Sequence, residues 1–163
     1  MALFSYTFPL TSPPAPGRHG YDAAEFQLDL SPAWRQVLVD EGNALHFESL
    51  DDGAALIVSV DLVGTPVDEA QSVAEHCVAK RIDAHRLASA TPLEVIQQRI
   101  QPHASGAALE MSYAAATGEH IHLYLGYVTR RKVLSFSMAC PPDRRAAMTL
   151  FNATVPHFKP RLP

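Results

Sequence analysis

Charge is scarce in this chain. Only 18% of its 163 residues are Asp, Glu, Lys or Arg, and 13 basic against 17 acidic side chains leave a net charge of −4. A nucleic-acid binder needs a clustered basic face. The one basic cluster here is Arg130-Arg131-Lys132, so nucleic acid is not an expected partner. Cysteine is nearly missing. Cys77 and Cys140 stand far apart in apolar patterns, make no disulfide framework and read as small buried hydrophobes. No apolar run approaches the roughly 20 residues of a membrane-spanning helix. Met1 to Leu10 has neither an early Lys or Arg nor a long apolar stretch. No membrane association and no signal peptide are therefore expected, and the expected compartment is the cytoplasm. Gly53, Gly64, Gly106, Gly118 and Gly126 are isolated, and Gly17 and Gly20 stand among prolines, so no phosphate-cradling loop exists and no cofactor is expected. No Gly-x-Ser-x-Gly elbow occurs, and nothing local supports a dyad of Cys140 with a distant histidine. No catalytic residue is assigned, and the chain does not read as an enzyme.

What is present is alternation. Between Gly106 and Cys140 apolar residues fall at every second position in three consecutive stretches: Leu109, Met111, Tyr113; then Ile121, Leu123, Leu125, Tyr127; then Leu134, Phe136, Met138, Cys140. A period of two marks half-buried strands, because successive side chains point to opposite faces. The pattern also suggests a register. An odd loop at Thr117-Gly118-Glu119 would set Met111 opposite Leu125 and Tyr113 opposite Leu123. An even loop centred on Arg130-Arg131 would set Tyr127 opposite Leu134 and Leu125 opposite Phe136.

The remaining elements frame these strands. Residues 1–20 form a proline-rich arm, extended over 9–20, with an alternating Phe4-Ser5-Tyr6-Thr7-Phe8 ahead of the prolines. This segment reads as a frayed terminus or as a strand that pairs with its own sheet or a partner's, the latter giving an arm-swapped dimer. A single domain follows over 21–158, with a tail at 159–163. Phe26, Leu28 and Leu30 mark a strand ending at Ser31-Pro32. Leu45 and Phe47 mark another, joined through the Asp51-Asp52-Gly53 turn to Ala54–Val60. A helix follows with Thr65 as its cap, Pro66 in its first turn, and Val67, Ala70, Val73, Ala74, Cys77 and Val78 as one stripe. It should stop before Thr91-Pro92, and Leu93–Ile100 reads as a strand of mixed polarity. A terminal helix begins at Pro141-Pro142-Asp143 and buries Ala146, Ala147, Leu150, Phe151 and Thr154. The class is α+β: a single antiparallel sheet of about six to seven strands with both helices packed on its apolar face.

By that register the other sheet face carries Glu110, Ser112, Ala114, His122, Tyr124, Gly126, Ser135, Ser137 and Ala139. These are small or weakly polar, with almost no charge, although natural sheets usually guard exposed surface with charge. Such a face reads either as plain solvent surface or as a seat for an apolar helix or another sheet. Ser112, Ala114, His122, Tyr124, Gly126, Ser135, Ser137 and Ala139 are therefore the candidate client-binding residues. Arg130 and Arg131 read as a charged hairpin tip or as the contact for an acidic partner. His120 and His122 fall on one side of their strand, where two imidazoles could clamp a metal with Glu110 or Tyr124 as third ligand. A solvated histidine pair is the plainer reading, and no metal site is assigned.

The order strand, Pro-x-Trp, hairpin, helix, four strands, helix resembles the PsbP/Mog1-like fold. The motif Phe26-x-Leu28-x-Leu30-Ser31-Pro32-x-Trp34 is similar to the opening of its DcrB-like bacterial branch. So are the hairpin from Leu45-His46-Phe47 to Leu56–Asp61 and the run from Gly106 through Tyr127–Arg131 to Phe136-Ser137-Met138 and Pro141-Pro142. The proline-rich arm is outside the usual pattern, and Arg35-Gln36-Val37 lacks the acidic residue expected after the tryptophan. Within that branch the chain resembles the effector-associated chaperones of type VI secretion. That resemblance implies a cytoplasmic homodimer holding a hydrophobic transmembrane segment of a secreted effector. An immunity or inhibitor protein occluding a toxin domain is the alternative.

Overall fold

In the computed structural model, residues 4–5, 19–22, 25–39 and 44–162 are described. The chain runs through β1 (Phe4–Ser5), β2 (His19–Asp22), β3 (Phe26–Leu30), β4 (Trp34–Val37), β5 (Ala44–Ser49) and β6 (Ala54–Leu62). It continues through a short 3-10 turn (Val67–Glu69), α1 (Ala70–Ala88), β7 (Glu94–Pro102), β8 (Leu109–Ala116), β9 (Ile121–Val128) and β10 (Lys132–Cys140). It closes with α2 (Arg144–Thr154), a second 3-10 turn (Val155–His157) and β11 (Phe158–Pro160). The extended arm expected over residues 9–20 lies outside the described residues except at His19 and Gly20, which belong to β2. Phe4–Ser5 pairs with Leu62 and Asp61 of its own chain.

The class is α+β. The large antiparallel sheet has the order β4-β5-β6-β10-β9-β8-β7, with β1 added beside β6, and a small sheet has the order β11-β3-β2. The β5–β6 hairpin forms over the expected residues, and Gly53 turns it with a φ of 60° that suits glycine. The β9–β10 register has Tyr127 opposite Leu134 and Leu125 opposite Phe136, as the alternation predicts.

Two expectations about faces are corrected. The β8–β9 register places Met111 opposite Gly126 and Tyr113 opposite Tyr124. The turn is even, closed by the Thr117 N–H donating to the His120 carbonyl at 2.9 Å and by the Thr117 hydroxyl accepting from the Glu119 and His120 N–H groups. Alternation fixes a register only where one face is buried. Here both faces of β8 are covered, so Met111, Tyr113 and Ala115 go to one side while Ala114 and Ala116 pack on the other. The second correction concerns the helices, which lie on opposite faces. α1 packs Val73, Ala74, Val78 and Ile82 on Met111, Tyr113, Tyr124, Val128 and Val133. α2 packs Ala147, with Leu150 and Phe151, on the Phe136 face, where the small sheet adds Phe26, Leu28 and Leu30.

Smaller differences have local causes. Arg35-Gln36-Val37 is part of edge strand β4, paired with β5 and tied by an Arg35–Glu48 ion pair. The tail begins inside a strand, β11. β11 pairs with β3, and buried Phe158 meets Phe26 and Phe136 with ring centroids 5.7 and 5.0 Å apart. Asp143 caps α2, its Oδ1 accepting from the Ala146 N–H at 3.1 Å. Thr65 does not cap the first helix. Its Oγ1 is buried without a hydrogen-bond partner among the described residues, which costs of the order of 1–3 kcal/mol. Lys132, grouped by sequence with an exposed basic tip, is only 5% exposed. The hairpin register turns it toward the small sheet, where its Nζ pairs with Glu25 and donates to the Arg161 carbonyl.

Candidate functional site

Cross-strand partners share a face, so the α1 face can be followed strand by strand. One row runs Val37, His46, Ile57, Ser137, Tyr124, Tyr113 and Gln98. The next runs Arg35, Glu48, Ala55, Ala139, His122, Ala115 and Val95. α1 contacts β7, β8 and β9. Beyond Val133, Ser135 and Ser59, which are buried, the face on β10, β6 and β5 is open: Ile57 is 37% exposed, Ala55 is exposed, and Ser137, Ala139 and His46 are half-buried.

Six of the eight candidate binding residues therefore share a face: His122, Tyr124, Gly126, Ser135, Ser137 and Ala139. Ser112 and Ala114 do not join them. They sit opposite Leu125 and Leu123 on the α2 side, a direct consequence of the even β8–β9 turn. Glu110 is on that side as well, opposite Tyr127.

Beneath α1 the face is filled rather than smooth. Tyr124, 1% exposed, stacks on Tyr113 with centroids 5.0 Å apart and shares a 2.9 Å hydrogen bond with Ser135. Its ring folds back over Gly126, where a Cβ would meet the Tyr124 hydroxyl at 2.4 Å and Met111 Cε at 2.8 Å. The Arg81 guanidinium of α1 lies 4.5 Å from the Tyr124 ring centre, a cation–π contact. His85, one helical turn on, shares a 2.6 Å hydrogen bond with Tyr113 and stacks on His122 at 3.9 Å, nearly parallel. Arg81 and His85 are spaced i, i+4 on the helix, which was the available signal for their joint role.

Electrostatics follows from burial. Desolvation pushes Tyr113 and Tyr124 above the usual phenol range and Cys77 above the usual thiol range, and lifts Cys140 to about 11. It lowers His85, helped by Arg81, and brings His122 to about 4, helped by His85 and then His120. Each of these groups is driven to its uncharged form. His120 lies 5.8 Å from His122, ring to ring, but His122 is turned onto His85, and Glu110 is across the sheet. Among the described residues no group of three His, Cys, Asp or Glu side chains is arranged to hold a metal ion.

Beside α1 a groove of about 820 Å³ runs over β6 and β10. Its walls include Val63, Val73, Cys77 and Val133, with Asp61, Glu69, Lys80 and Arg81 as its charged residues. Tyr124 and Ser135 lie at its floor. Arg130 and Arg131 sit apart from it, exposed at the β9–β10 tip. No helix among the described residues is long and apolar enough to cross a membrane.

No family model matches the chain, and no curated protein matches it. Its structure is similar to the solution structure of cyanobacterial PsbP (CyanoP) from Synechocystis sp. PCC 6803. The TM-score is 0.62 at 18% identity, covering 89% of this chain and 93% of that one. The chain therefore has a PsbP-like fold.

Proposed function

We propose that this protein is a non-enzymatic binding protein, a cytoplasmic chaperone or adaptor of the DcrB-like branch. On this reading it holds a hydrophobic segment of a secreted type VI effector. The observation that carries the reading is the uncovered half of the α1 face. Ala55 and Ile57 of β6 and Ser137 and Ala139 of β10 offer small, low-charge surface. The α1 groove runs alongside.

An apolar client helix would lie across these strands with α1 as its side wall. Burial at roughly 25 cal/mol per Å² supplies the drive, and Ser137 meets any polar group on the helix. Ser135, Tyr124 and Gly126 act from beneath as a rigid floor. The neutral state of Tyr113, Tyr124, Cys77 and His122 supports a binding role, because none of these four is tuned as a nucleophile or base at neutral pH. The expected assembly is a homodimer, and the β1–β6 pairing is one that an exchanged arm would also make.

The test uses a labelled apolar helical peptide of about 20 residues, the length of a membrane span, titrated into the full-length protein. Ile57→Arg places charge on an exposed position and Ala139→Arg on a half-buried one of the same open surface, and both should abolish binding without unfolding the protein. Unchanged binding in both sinks the proposal. Tight one-to-one binding of a folded toxin domain, with none to the peptide, would establish the inhibitor alternative in its place.

A further inference from the structure

A second cleft, of about 670 Å³, opens at the start of α1. Three segments form it: the start of the helix with Val67 and Ala70, the stretch from Gly106 to Leu109, and the β9–β10 tip. Its composition is unlike that of the groove used above. The walls are apolar, chiefly Val67, Ala70, Ala108, Leu109 and Val128, and the mouth carries Arg130 and Arg131. None of the described residues lining it bears a carboxylate, in a chain whose acids outnumber its bases. The nearby acids Asp68 and Glu69 are exposed on the 3-10 turn and are not part of the lining.

Thr65 adds an independent observation. It lines the cleft and is 4% exposed, yet its hydroxyl has no hydrogen-bond partner among the described residues. Buried polar groups are ordinarily paired, so an orphan calls for an explanation. The Thr65 N–H is already held by the Arg130 carbonyl at 3.0 Å. The orphan hydroxyl and the arginine-bearing tip are therefore tied together, and a single anionic group between them would serve both. Arg suits an acid oxygen because its planar fork donates two parallel hydrogen bonds.

We propose that this cleft binds an acidic amphiphile: a small molecule with an unbranched apolar body and one carboxylate head. The body lies along Val67, Ala70, Leu109 and Val128. The head meets Arg130 and Arg131 and accepts from the Thr65 hydroxyl. This site is separate from the client surface and does not depend on the client reading.

The experiment titrates decanoate, with decylamine as the cationic control, into the full-length 15N-labelled protein below the micelle concentration. Decanoate should shift the amide resonances of residues 65–70, 106–109 and 128–131, and decylamine should not. Arg130→Ala with Arg131→Ala should weaken decanoate about tenfold or more, the loss expected of a charge-assisted pair. Thr65→Val removes the hydroxyl at nearly constant shape. It should weaken decanoate while leaving the free protein equally or more resistant to heat, since the hydroxyl makes no bond in the free chain. A merely structural threonine would lower thermal stability instead, and that result overturns its assigned role. Equal binding of decylamine, decanoate shifts elsewhere on the protein, or unchanged affinity in the arginine variant would each overturn the proposal.

Discussion

Replacing Gly126 by alanine is the sharpest probe of the packed floor beneath α1. The added methyl would stand 2.4 Å from the Tyr124 hydroxyl and 2.8 Å from Tyr124 Cζ and Met111 Cε. The methionine end can swing aside, but the tyrosine cannot. It is fully buried, stacked on Tyr113, bonded to Ser135 and covered by Arg81. Overpacking of this kind costs about 1–3 kcal/mol, and displacing the phenol also loses its hydrogen bond, about 1 kcal/mol. Together these give about 2–4 kcal/mol, a fall in Tm of roughly 4–16 °C for a chain of this size. Urea unfolding measures the first number and calorimetry the second. The cause is isolated by repeating the substitution with Tyr124→Leu in place. Without the ring, Gly126→Ala should cost less than about 1 kcal/mol, a coupling in the range seen for touching residues. An equal cost in both backgrounds would refute the account and place the requirement in the backbone of Gly126 instead.

Other outcomes are expected elsewhere. The His122 ring, held near 4 against an ordinary value of about 6.5, binds fewer protons when folded than when unfolded. Its contribution is therefore complete above about pH 6.5 and is lost as the pH falls toward 4; the full shift corresponds to about 3 kcal/mol, and half-exposure halves it. His122→Leu should flatten that part of the stability–pH curve in denaturant titrations, and an unaltered curve would refute the assignment. Lys132→Ala strands the Glu25 carboxylate and should cost about 3 kcal/mol, measurable by urea unfolding, with part regained by Glu25→Gln. Asp143→Ala removes the α2 cap and should cost about 1 kcal/mol, read the same way. Deleting residues 1–18 should lower the mass seen by light scattering if the arm is exchanged between two copies.

Local pattern determined the elements themselves. The alternating runs at Ile121–Tyr127 and Leu134–Cys140 became β9 and β10 in the register predicted, with Leu123, Leu125, Leu134 and Phe136 together on the α2 side. The Asp51-Asp52-Gly53 turn and the start of α2 at Pro141-Pro142-Asp143 were legible because their chemistry is local: a positive φ that suits glycine, and prolines that end the strand before the helix. Only the tertiary structure decided what covers each face. Met111 and Tyr113 alternate as cleanly as Leu123 and Leu125, and nothing in their own sequence says that α1 covers one pair and α2 with the small sheet the other. That choice sent Ser112 and Ala114 away from the proposed binding face, since a shift of one residue in pairing reverses every side chain. It also brought Arg81 and His85 over Tyr124 and His122, across a distance in sequence that no local period records. Lys132 was grouped with its neighbours Arg130 and Arg131 by adjacency, and only the approach of Glu25 and the Arg161 carbonyl made it an interior cation. Strand identity is fixed within a few residues by the direction side chains take. Which surface remains open is fixed by long-range packing, and in this protein the functional reading rests on that surface.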